Sequence, residues 1–124
     1  MRDIKFRGKR KRNGEWIYGD LCRQQDTTYI FPFDATDSYD NYEVESDTVG
    51  QYTGLKDNNG VEIYEGDIMR KKPGKKYKGV VVWDKEKCRF QGEWTDGSMP
   101  SSIDIAIFNR GHVIGNVYDN PELI

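Results

Sequence analysis

The sequence predicts a small, mainly β protein: an SH3-like small barrel over residues 51–124, an N-terminal β-hairpin and acidic loop region over residues 1–50, and very little helix. Three observations carry this reading. Short runs alternate apolar and polar residues with the period of a half-buried strand. The runs are separated by Asn-Gly, Gly-Asp and Pro-Gly pairs, which punctuate strands. No segment sustains the 3.6-residue period of a helix. A chain of 124 residues is read as a single domain, residues 1–124. Only 35% of it is hydrophobic and 32% is charged, but eight Tyr, five Phe and three Trp supply large rigid groups for a compact core.

The first strand is predicted from Ile4 and Phe6 alternating with Asp3, Lys5 and Arg7. Asn13-Gly14 is the dipeptide of a tight hairpin, and Glu15 to Tyr18 supplies the returning strand. The words "NGEWIYGDL" (13–21) and "NGVEIYEGDI" (59–68) nearly repeat each other. Neither Gly-Asp leads into Gly-Lys-Ser or opens a helix, so the repeat reads as strand punctuation and not as a phosphate loop. Strands follow over Ile68 to Arg70, Gly79 to Trp83, Cys88 to Phe90, the alternating isoleucines 103, 105 and 107, and Val113 to Tyr118. Asn120-Pro121-Glu122 reads as a helix start. The succession "YEGDIM", polar loop, "GVVVWD", short turn, "CRFQG" is what suggests the SH3-like barrel.

The longest apolar run, Val80 to Trp83, is far below the roughly twenty residues of a membrane span. The basic start "MRDIKFRGKRKR" has no apolar segment after it, which points to the cytoplasm and away from secretion. Cys22 and Cys88 are too far apart for a CxxC module and read as free thiols. Charge is striped. Residues 1–23 carry eight bases against three acids, residues 24–55 seven acids and no base, residues 56–78 seven bases against four acids, and residues 79–124 four against seven.

Three segments resemble one known family: "MRDIKFRGKR" at the start, "VGQYTGLKDNNGVEIYEGDIM" in the middle and "GHVIGNVYDNPEL" at the end. They are similar to the YopX family of small phage and prophage proteins. The resemblance implies a phage-encoded protein of the bacterial cytoplasm with an SH3-like β-barrel. It implies no activity, cofactor or catalytic residue. The basic loop near the N-terminus and the acidic stretch 34–47 depart from the family pattern.

No constellation for catalysis accompanies the single histidine, His112, which reads as structural or exposed. Cys22 and Cys88 read as small core residues. Glu62, Glu65 and Asp67 are dense enough to suggest a divalent ion, but as turn acids they need none, and no cofactor or metal is expected. Two basic loops remain as candidate contact sites for nucleic acid or a protein partner: Lys9, Arg10, Lys11 and Arg12, and Lys71, Lys72, Lys75, Lys76, Tyr77 and Lys78. Tyr77 among lysines is the combination that single-strand binders use, a stacking ring among phosphate-binding charges. The acidic stretch reads as a flexible loop, as a mimic of nucleic acid, or as a cover over the chain's own basic loops. The expectation is a non-enzymatic interaction module, a homo-oligomer that binds a phage or host protein; the alternative is a weak nucleic-acid binder.

Overall fold

A computed structural model describes residues 1–74 and 76–124; the predicted contact residue Lys75 lies outside the described residues. The chain divides into two compact units, Met1–Tyr52 and Thr53–Ile124. Strands dominate both, in two antiparallel sheets, and among the described residues no closed barrel forms. No described helix is long and apolar enough to cross a membrane.

In the first unit, β1 (Phe6–Lys9), β2 (Trp16–Gln24) and β3 (Thr27–Phe31) form antiparallel hairpins, and β4 (Gly50–Lys56) begins beside β1. The predicted β1–β2 hairpin is present, but its loop is wider than an Asn-Gly turn. Lys9 pairs with Trp16, the Arg10 N–H bonds to the Glu15 carbonyl, and only Gly14 takes positive φ. The predicted inward face of β1 is corrected. Ile4 is 53% exposed while Arg7 is buried, because its guanidinium carbon stands over the Trp16 ring, 4.7 Å from the ring centre, and its stem counts as apolar surface. The core of this unit gathers Ile30, Val44, Tyr29, Tyr42 and Tyr52.

In the second unit β5 (Glu62–Tyr64) is followed by a five-stranded open sheet. Its order is β10 (His112–Asn116), β6 (Asp67–Arg70), β7 (Lys78–Asp84), β8 (Arg89–Trp94) and β9 (Ser101–Ser102). The α-helix α1 (Ile103–Phe108) closes its core of Ile63, Met69, Val81, Trp94, Ile103 and Ala106. That helix overturns the strand predicted from isoleucines 103, 105 and 107. The buried residues are Ile103 and Ala106, with Ile107 packed beside them. This is helical spacing; Ile105 points to solvent, 51% exposed.

The two near-repeats also take different forms. β2 runs unbroken through Gly19-Asp20, where glycine is required by close approach: a Cβ would stand 2.1 Å from the Phe31 carbonyl oxygen. In the second copy Gly66 (φ 87°) makes a true turn between β5 and β6, and its N–H bonds to the Val81 carbonyl. Cys88 is corrected as well. It ends the β7–β8 turn at φ 51° and is exposed, so it is no core residue. At the C-terminus, Pro121–Leu123 forms one 3-10 turn, as far as the predicted helix goes.

Candidate functional site

The first basic loop is covered by the acidic stretch. The backbone of 43–44 is laid beside the sheet by bridges from Arg10 to Val44 and from Tyr29 to Glu43. Aromatic packing holds the rest: Tyr39 meets Tyr29 edge-on at 5.6 Å and Tyr42 meets Phe31 at 5.8 Å. The Tyr42 hydroxyl accepts the N–H groups of Thr36 and Asp37 at 3.0 and 2.9 Å. The tyrosines between the acids are therefore anchors, and the segment is built in place by them.

Placed this way, the segment satisfies the cations beneath it. Lys11 Nζ lies 2.9 Å from Glu43 and Arg12 3.6 Å from Asp37. Arg10 donates from Nε and Nη2 to the Asn41 carbonyl at 2.9 and 2.8 Å, and stacks over Tyr42 at 5.6 Å. Lys9 reaches over the Trp16 ring at 5.5 Å, while its N–H bonds to Thr48 Oγ1. Glu43 raises the Lys11 ammonium above its ordinary value through a hydrogen bond and its charge. The Ser38 N–H, the Asn41 side chain and nearby arginines hold the Asp37 carboxyl low. These are exposed pairs screened by solvent; their consequence is occupancy, since any external anion must compete with them.

The second basic loop lies in the second unit. Lys71 is bound internally: its Nζ lies 3.0 Å from Asp96, meets the Ser98 hydroxyl and stands 5.5 Å from the Trp94 ring centre. Asp96 is held far below the carboxylate range by the Ser98 hydroxyl and Lys71. Lys72 and Lys76 place their Nζ atoms over Tyr77, at 4.2 and 5.1 Å from its ring centre. Lys78 is in β7 opposite Arg70, and its carbonyl receives the Thr95 N–H at 2.9 Å. The Lys71 ammonium is thus committed to Asp96 and Ser98 and not to the Lys72–Tyr77–Lys76 group, although its N–H bonds to the Tyr77 carbonyl at 2.7 Å.

The acids near Tyr64 divide. Asp67 is buried and accepts the Tyr64 N–H at 2.8 Å, while Glu62 accepts the Tyr64 hydroxyl at 3.3 Å. Among the described residues no three His, Cys, Asp or Glu side chains stand together as metal ligands. Sequence reading passed over a cavity of about 590 Å³ lined by Asn58, Asn59, Ile107, Phe108, Arg110 and His112. Its signal was faint: "NR" before "GH" (109–112) reads as an ordinary turn, although Arg110 adopts φ 68°.

The comparisons agree with this architecture. A family model described as YopX protein matches residues 5–124. Among solved structures, the crystal structure of protein EF1440 from Enterococcus faecalis is similar, with 26% identity, 99% of each chain covered and a TM-score of 0.57. No curated protein matches the chain.

Proposed function

The chain belongs to the YopX family, and we propose that it is a non-enzymatic interaction module, phage-encoded, acting in the bacterial cytoplasm as a homo-oligomer that binds a phage or host protein. The observation that carries this reading is the internal pairing of residues 10–12: Lys11 with Glu43, Arg12 with Asp37 and Arg10 with the Asn41 carbonyl. A surface built to hold a phosphate chain leaves its cations open to it; here Lys11 and Arg12 already face carboxylates, while Phe33 is fully exposed and Tyr39 61% exposed at the edge of the same segment. Exposed aromatics beside polar groups are the composition of protein contact sites. The meander of β6, β7 and β8 we read as the SH3-like portion, with the loops at its ends as contact surfaces.

The test is retention of short single- and double-stranded oligonucleotides at low salt, run beside light scattering on the same sample. The module reading expects no retention and a defined oligomer mass; retention that falls steeply with salt overturns it. A second reading, weak nucleic-acid binding, draws support from Lys72 and Lys76 flanking Tyr77. It predicts that K72A/K76A removes such retention.

A further inference from the structure

The cavity between the Asp57–Gly60 turn and the C-terminal end of α1 carries an inference beyond the interaction reading. We infer that it is a binding site for a nucleoside monophosphate, with the base against Phe108 and the phosphate on Arg110 and His112. Its volume, about 590 Å³, lies in the range of small-molecule sites.

The end of α1 is built around Arg110. The Gly111 N–H bonds to the Ala106 carbonyl and the Arg110 N–H to the Ile107 carbonyl, at 2.7 and 3.0 Å, the paired bonds of a Schellman turn. Its left-handed position takes glycine most readily, because a side chain there is strained. This chain places an arginine at that position, φ 68°, so the strain supports a guanidinium at the cavity's lip.

The same bonds remove what would repel an anion. The carbonyls of Ile105, Ala106 and Ile107 accept backbone N–H groups, and Ile107 also accepts Asn58 Nδ2 at 2.9 Å. The nearby Asp57 carboxylate is buried and taken up by the N–H groups of Asn59, Val61 and Val113. None of the six lining residues is acidic, and among the described residues no carboxylate pairs with Arg110.

The remaining groups divide between phosphate and base. Arg110 offers a planar fork suited to phosphate oxygens, and His112 adds a ring N–H beside it. Phe108, 87% exposed, presents a bare ring, on which any base stacks. The amides of Asn58 and Asn59 can donate to and accept from a base edge. An anion alone needs no exposed phenyl ring, and a base alone needs no strained arginine.

The experiment is an NMR titration of the full chain with adenosine and cytidine monophosphates, beside adenosine and inorganic phosphate as half-ligands. The expected result is saturable shifts confined to Asn58, Asn59 and residues 107–112, with each half-ligand at least about tenfold weaker. R110G and F108A each weaken binding by about tenfold or more. R110G tests the site without risk to the fold, since glycine suits that φ, and a thermal melt no lower than the parent's documents this. No saturable shift by about 10 mM nucleotide overturns the inference. So does phosphate binding as tightly as the nucleotide, or R110G binding as the parent does.

Discussion

At the scale of single residues, three aspartates in similar words have unlike duties. Asp57 is buried and its two oxygens accept the N–H groups of Asn59, Val61 and Val113 at 2.9 to 3.0 Å, tying a turn to a strand 56 positions away. Asp67 is buried beneath Tyr64, whereas Asp20 sits exposed within β2. Charge-assisted bonds to buried N–H groups predict that Asp57→Ala destabilises by roughly 3 kcal/mol, and that Asp20→Ala stays within about 0.5 kcal/mol, both read by urea denaturation. A loss at Asp20 equal to that at Asp57 would contradict the division. The turn role of Asp67 was legible from its Gly-Asp word; the different role of Asp20 was not, because what decides it is the passage of Phe31 over Gly19, a contact between strands. Arg110→Gly relieves about 1–2 kcal/mol of left-handed strain and adds about 0.5–1 kcal/mol of unfolded-state entropy, so a net gain of up to about 1.5 kcal/mol is expected in the same assay.

Among elements, α1 separates two periodicities that six residues cannot distinguish. "IDIAIF" alternates as a strand does, yet Ile103 and Ala106 face the core and Ile105 faces solvent. Ile103→Ala is therefore expected to cost about 2–4 kcal/mol, while Ile105→Ser is tolerated within about 0.5 kcal/mol; equal losses would restore the strand. β3 (Thr27–Phe31) was missed although "TTYIF" is rich in strand formers, because the surrounding acids read as loop. The acidic stretch depends on protonation in a known direction. Asp37 is held low by the Ser38 N–H, Asn41 and the arginines, and Lys11 is held high by Glu43. The depressed Asp37 supports the contact above the ordinary carboxylate value, and that support fades as pH falls below about 4. The raised Lys11 supports it below the ordinary lysine value, and that support fades as pH climbs beyond about 10. The Tyr39 and Tyr42 ring resonances should hold steady between these limits and move outside them; movement near neutrality would disprove the linkage.

For the whole molecule, the striping of charge was visible in the sequence, and so was the family through three spaced motifs. Which stripe meets which was not visible, since Lys11 and Glu43 lie 32 positions apart and are joined by bridges and aromatic packing that only folding brings about. The pairing explains how a chain with a formal net charge of −2 can carry a concentrated basic loop without presenting it as an open phosphate site. It also gives a way to open that loop without touching a cation. Asp37→Asn and Glu43→Gln together remove two acids and bring the formal net charge to zero, leaving Tyr39 and Tyr42 to hold the backbone. Lys11 and Arg12 then lose their carboxylate partners. The double variant is expected to gain retention on single-stranded oligonucleotides at low salt, with a salt slope of about −1.4, the value for two phosphate contacts on a single strand. A gain with unchanged tyrosine resonances assigns it to freed charge, because collapse of the segment would move those signals. An absence of gain would mean that the carboxylates do not hold phosphate away from this loop, and the argument from internal neutralisation would lose its basis.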